Sequence, residues 1–205
     1  MLKLWGRVNS INVQKALWAI EELGIAYERV DAGGPFGIVT EEAYRRLNPN
    51  SLVPTIEDDG FVLWESNAIV RYLAAKHAPG SLWPQDLRTR ADADRWMDWQ
   101  AFSFTPAFGP IFHGLVRTPG SRSPEEIAAA TAKGEEMAAI LDAQLKERAY
   151  VAGEAFSMGD IATGCAAHRW LNLPITRKPR PNMQRWYERL MTRPAARKVL
   201  ITPLT

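Results

Sequence analysis

Residues 48–73 read NPNSLVPTIEDDGFVLWESNAIVRYL. Val53-Pro54-Thr55-Ile56 and Phe61-Val62-Leu63-Trp64 are short apolar runs, separated by Asp58-Asp59-Gly60. Asp-Gly between two such runs is a strong hairpin signal. Ser66 follows as a plausible N-cap for a helix through Ile69, Tyr72 and Leu73. The stretch therefore predicts strand, turn, strand and helix in immediate succession.

Upstream, Leu2-Lys3-Leu4-Trp5 is a short apolar alternation and reads as a strand. Gly6 to Asn9 is a loop. Val13, Ala16, Leu17, Ile20 and Leu23 then share one face of a helix, which Gly24 ends. Tyr27–Val30 reads as a second strand, and Gly33-Gly34-Pro35-Phe36-Gly37 is a loop. Thr40 opens a short helix with Glu41 and Glu42 in its first turn, where the helix dipole favours acids. The order β-α-β-α-β-β-α describes a small mixed sheet with helices, the arrangement of a thioredoxin-like domain over residues 1–78.

Downstream, residues 79–87 read as a linker through Pro79-Gly80-Ser81. Residues 88–205 show no convincing strand. Arg88 to about Gln100 is helical in composition. Ser123-Pro124-Glu125-Glu126 joins an N-cap, a first-turn proline and a capping-box glutamate. Ser157-Met158-Gly159-Asp160 is a second capping box, opening a helix from Ile161 to Trp170. Asn182–Met191 and Ala195–Leu200 supply two more helices. The fold class is α/β plus all-α, an N-terminal thioredoxin-like domain followed by a helical domain.

Composition excludes several functions. With 46% hydrophobic and 23% charged residues in 205, the chain is an ordinary globular protein. No apolar run reaches the roughly 18–20 residues that span a bilayer, and the N-terminus lacks the apolar core of a secretory signal. No membrane partner is expected, and the cytoplasm is the expected compartment. The single Cys165 excludes an internal disulfide framework and a CxxC pair, and three scattered histidines exclude a His-rich metal site. The net charge is +2. Arg177–Lys198 holds eight basic residues against one acid, but they are dispersed among prolines. They read as a solvated helical face rather than a nucleic-acid site.

Three places in the first domain carry polar groups suited to chemistry. Ser10 and Asn12 stand at the start of the first helix, where free N–H groups stabilise anions. Each is either a helix cap or a donor to a bound anion such as a thiolate. Pro54 at the head of a strand removes a ladder donor, and a cis Val53–Pro54 bond would turn the Val53 backbone toward a ligand. Glu65-Ser66 opens another helix, where Ser66 and the first N–H groups suit a carboxylate and Glu65 suits an amino group.

Ser10 in its loop, Asn48 to Thr55, and Leu63 to Leu73 together resemble the cytosolic glutathione transferase family, most closely its serine-type, theta- or delta-like bacterial members. Arg95-Trp96-Met97-Asp98-Trp99-Gln100 and the Ser157 capping box extend the resemblance over essentially the whole chain.

The resemblance implies an enzyme of detoxification that binds glutathione as co-substrate, without a further cofactor or metal. It implies a cis Val53–Pro54 bond, with the Val53 backbone pairing the cysteinyl part of the tripeptide. Glu65 and Ser66 would hold the γ-glutamyl end, Asn50 or Ser51 the glycyl end. Ser10, replaced or assisted by Asn12, would stabilise the thiolate for attack on a small apolar electrophile. Ile11, Phe102, Phe108 and Trp170 are candidates for the electrophile pocket. A homodimer is implied. Glutathione-dependent isomerase or dehalogenase activity and a non-catalytic binding or assembly module are the alternatives. No cysteine occupies the Ser10 loop, which argues against disulfide exchange.

Overall fold

Leu2 and Leu4 are buried while Lys3 and Trp5, which alternate with them, are half-buried, and this alternation forms strand β1, Leu2–Trp5. The computed structural model describes all 205 residues. Helix α1, Ile11–Glu22, follows and buries Val13, Ala16, Leu17 and Ile20. It ends at Gly24, whose φ of 63° suits a residue without Cβ. Then come β2, Tyr27–Val30, and α2, Glu42–Leu47. The hairpin is β3, Thr55–Asp58, and β4, Phe61–Trp64. Its turn carries positive φ at Asp59 and Gly60. Helix α3, Ser66–His77, closes the first domain.

The sheet order is β2-β1-β3-β4. β1 and β2 are parallel; β1–β3 and β3–β4 are antiparallel. Trp5 stands opposite Thr55, and Thr55 opposite Trp64. The loop after β1, the approach to β3 and the β4–α3 junction therefore meet at one end of the sheet.

The helical domain starts with α4, Leu87–Trp99, capped by Asp86, which accepts from the Thr89 N–H at 2.8 Å. The chain stays helical through a π-helical turn, Gln100–Phe104, then α5, Thr105–Phe112, and a second π turn, His113–Arg117. Helices α6 (Pro124–Gln144), α7 (Met158–Asn172), α8 (Pro181–Met191) and α9 (Pro194–Val199) complete it. Both expected capping boxes form. The second box is buried: Asp160 accepts from the N–H groups of Val151 at 3.0 Å and Ser157 at 2.9 Å and from Trp186 Nε1 at 2.9 Å. Burial pushes the Asp160 carboxyl up to about 6, against the pull of these donors.

Three local expectations need correction. α2 begins at Glu42 with Glu41 in the cap position, not at Thr40. Ser66 is the first residue of α3, and Glu65 occupies its N-cap position with a φ of 70°. The helical run through residues 105–117 has no counterpart in the sequence reading. Pro106 and Pro110 interrupt the helical signal there, yet the chain stays helical past them, with a π turn directly before α5.

One hydrophobic core runs through both domains. α1 is its shared element. Trp18 is fully buried, and Gly164 of α7 lets its ring approach: a Cβ there would sit 2.8 Å from the indole. Arg193 pairs with Glu22, and Lys198 with Glu21 at 2.7 Å. Arg71 of α3 reaches Asp94 and Asp98 of α4, both at 2.7 Å. The cleft between the start of α1 and the α4–α5 run therefore has walls fixed from both sides.

Candidate functional site

The three loops at the end of the sheet supply the polar groups. The Val53–Pro54 peptide is cis. Neither the N–H nor the carbonyl of Val53 has a hydrogen-bond partner within the chain. The preceding carbonyl is held firmly: Leu52 O accepts from Tyr44 Oη at 2.6 Å and from Asn48 Nδ2 at 2.9 Å. Asn48 Oδ1 also accepts from the Asn50 N–H at 3.0 Å. The loop is thus braced from beneath, with Asn50 exposed and Ser51 half-buried at its rim.

Beside it lies a cavity of about 470 Å³ whose wall includes Asn12, Lys15, Glu65, Ser66 and Phe102. Glu65 is exposed and Ser66 is buried. Ser66 Oγ lies 3.4 Å from Asn12 Oδ1 and donates to it, tying α3 to the first turn of α1. Lys15 was not foreseen. It follows Asn12 by three residues and so shares its helix face. It is only 2% exposed and has no hydrogen-bond or ion-pair partner. Burial brings its ammonium down to about 8, and the nearby Glu65 carboxylate works against that fall. An unpaired buried ammonium opposes folding and suits an anion arriving from solution.

Asn12 also belongs to a second, smaller cavity of about 170 Å³, with Ser10, Ile11, Thr105, Phe108 and Phe112 on its wall. Ser10 takes the N-cap position of α1, but its side chain makes no cap hydrogen bond. Its backbone is engaged instead: the carbonyl accepts from Gln14 N at 2.9 Å, and the N–H donates to Arg7 O at 3.2 Å. The hydroxyl is left free at the cavity wall, among the unpaired N–H groups of a helix start. Such a hydroxyl can donate to an anion at little cost to the helix.

The sequence-derived pocket residues divide. Ile11 and Phe108 line the Ser10 cavity. Phe102 is 82% exposed and lies on the larger cavity, beside Glu65 and Ser66. Within the π turn it is Phe104 that faces inward, against Trp99 and Phe108. Trp170 is not on the wall of the Ser10 cavity. It is 1% exposed and packs behind Phe104 and Phe108, against Gly134, where a Cβ would sit 2.3 Å from its ring. The Ser10 cavity also has a cationic side that the sequence reading missed, formed by Arg117 and Arg169, with His113 beside them. No group of three or more His, Cys, Asp or Glu side chains is arranged to hold a metal ion, and no helix is long and apolar enough to cross a membrane.

Comparison with known proteins adds family to geometry. Residues 1–75 match the model of the glutathione S-transferase N-terminal domain, and residues 101–194 that of its C-terminal domain. The chain belongs to the glutathione S-transferase family. It is 44% identical over 208 residues, covering all of both chains, to glutathione S-transferase GstB of Escherichia coli K12. Among solved structures it is similar to the theta class glutathione S-transferase of the citrus canker pathogen Xanthomonas axonopodis pv. citri with glutathione bound. That likeness has a TM-score of 0.95 and 49% identity, covering 100% of this chain and 99% of the other. Glutathione transferase F7 of Populus trichocarpa is more distant, at 25% identity and a TM-score of 0.84, covering 97% of both chains. The four-stranded thioredoxin-like domain and the helical second domain are the family's two parts.

Proposed function

We propose that this chain is a glutathione transferase in which the cavity beside Glu65 and Ser66 holds the γ-glutamyl end of glutathione. In this reading Glu65 accepts from the amino group, while Ser66, the first N–H groups of α3 and Lys15 take the carboxylate. The unpaired Val53 backbone faces the cysteinyl part, and Asn50 and Ser51 stand at the glycyl end. Asn12, shared by both cavities, marks the passage from the tripeptide to its sulfur at Ser10.

The observation that carries the reading is the free Ser10 hydroxyl at a helix N-terminus. Thiolate, not thiol, is the nucleophile, and an unperturbed cysteine thiol titrates near ~8.5. Lowering that value by about two units requires roughly 2.7 kcal/mol of preference for the charged form. A hydrogen bond to a charged acceptor contributes about 1.5–3 kcal/mol and a helix terminus about 0.3–1 kcal/mol. Together they suffice without a general base. The thiolate then attacks an electrophile held in the Ser10 cavity, and proximity supplies the rest.

Calorimetric titration with glutathione tests the reading, together with the rate of conjugation to a chloronitrobenzene. Binding in the micromolar to millimolar range with turnover above the uncatalysed reaction is expected. No binding at millimolar glutathione would overturn it in favour of a non-catalytic module.

Phe61, Trp64 and Phe102 are exposed, and Phe102 shares a cavity wall with Arg71 and Asp98. This apolar surface supports a homodimer that joins the first domain of one protomer to the second domain of its partner. A sedimentation mass of one 23.0 kDa chain would reject it.

A further inference from the structure

The far side of the Ser10 cavity is built from unpaired cations. Arg169 of α7 and Arg117 at the end of the α4–α5 run both place their guanidinium groups over the ring of Phe112, at 4.0 and 4.8 Å. Burial, and to a lesser extent Arg7 three residues before Ser10, lowers the affinity of both for protons. Arg117 and Arg169 do the same to His113. Arg169 is buried. Its Nη2 donates to Asn9 O at 3.1 Å, which braces the Ser10 loop, but its Nε is buried without any partner. No acid lines the cavity, and none of these four side chains joins an ion pair. Elsewhere half-buried guanidinium groups find acceptors: Arg180 pairs with Glu135 and Arg193 with Glu22, while Arg177 donates to the carbonyls of Leu171 and Leu173.

Gathering like charges in a partly desolvated cleft costs free energy through repulsion and lost hydration. A bound anion relieves both. The opposite wall, Ile11 and Phe108, is apolar, and the space of about 170 Å³ admits only a small molecule. We propose that the second substrate is a small electrophile with a carboxylate next to its reacting carbon. Arg117 and the free Nη1 of Arg169 hold the carboxylate, and the carbon is turned toward the sulfur at Ser10. This rests on the glutathione reading above. In the step itself the sulfur–carbon bond forms as the carbon–leaving-group bond breaks. The leaving group departs as an anion with the bonding pair, so no oxidant or reductant is needed. The guanidinium groups also screen the repulsion between an anionic substrate and an approaching thiolate, which a purely apolar pocket would leave in full.

The test compares iodoacetate with iodoacetamide, a near-isosteric acid and neutral pair. For each, kcat/KM is divided by the rate constant of the uncatalysed reaction with glutathione. An enhancement at least ten-fold greater for the acid is expected, and Arg117→Gln should cut that preference ten-fold or more. Equal enhancement, or a preference for the amide, overturns the proposal. So does an Arg117→Gln variant that slows both reagents alike while raising the KM for glutathione, since the cluster would then serve the tripeptide. Glutathione titration of the same preparation separates the two levels. Normal binding with no acid preference sinks this proposal alone; no glutathione binding sinks the transferase reading as well.

Discussion

Removing one oxygen atom from Ser10 separates its two readings. Ser10 holds the N-cap position of α1 with extended backbone angles, φ −85° and ψ 124°, but its hydroxyl bonds to no helix N–H. Ser10→Ala should therefore leave folding almost untouched, within about 0.5 kcal/mol, the usual range where no interaction is lost. A true serine cap would lose about 1 kcal/mol. The thiol should respond strongly. Loss of a hydrogen bond to a charged acceptor removes about 1.5–3 kcal/mol, which raises the bound thiol pKa by roughly 1–2 units. From about 6.5 to about 8, the thiolate fraction at pH 7 falls from about three quarters to about a tenth. The assay is the thiolate ultraviolet absorbance of the saturated complex followed against pH, with urea unfolding of the free protein in parallel. A variant that loses about 1 kcal/mol of stability while the thiol pKa stays put would refute the reasoning. It would make Ser10 a cap. If Asn12→Ala shifts the thiol instead, the donor is the amide.

Lys15→Met should raise the thermal midpoint at pH 7 while weakening glutathione binding ten-fold or more, because the same buried ammonium opposes folding and attracts the ligand; a lowered midpoint would contradict this. Since burial holds Lys15 at about 8 in the fold, against the usual 10.5, the unfolded chain binds more protons between those values. Stability of the free protein should thus rise with pH from about 8 to 10.5, by up to about 3 kcal/mol, and Lys15→Met should flatten the rise in urea melts. Over the same range, binding of S-methylglutathione, which has no thiol to titrate, should weaken more in the native protein than in Lys15→Met. Asp160→Ala should cost about 3 kcal/mol or more in urea denaturation, because the Val151, Ser157 and Trp186 donors are left buried without an acceptor; a loss under 1 kcal/mol would show that water replaces the carboxylate.

Local signals carried the architecture. The Asp-Gly hairpin, the Ser-Pro-Glu-Glu and Ser-Met-Gly-Asp capping boxes and the spacing of Val13, Ala16, Leu17 and Ile20 are rules of a few residues, and each produced its element. Local rules assigned nothing to residues 105–117, where prolines break the helical pattern. Pro106 and Pro110 sit in a helical run that two π turns carry past them. Ser66 and Glu65 exchanged positions at the start of α3 because the backbone turns through a positive φ at Glu65, a detail set by the hairpin behind it.

The polar cradle of the first domain was legible because its parts lie at strand ends and helix starts, and chain order with sheet register brings those together. The rest of the site was not. Lys15 looks like any helix-surface lysine until the second domain covers its face. Trp170 looks like a pocket residue until Gly134 and Phe108 close around it. Arg7 lies more than a hundred positions before Arg117, and Arg169 lies two helices beyond it, so nothing local marks them as neighbours. Most of the elements, the two-domain order and the placing of Ser10 and Ser66 at helix starts follow from the amino-acid sequence alone, because backbone chemistry over a few residues sets them. Which charges lose their water, and which share a cavity, is set by the packing of helices far apart in the chain. Burial and proximity depend on how α1, α5 and α7 pack, and that packing is a property of the whole chain.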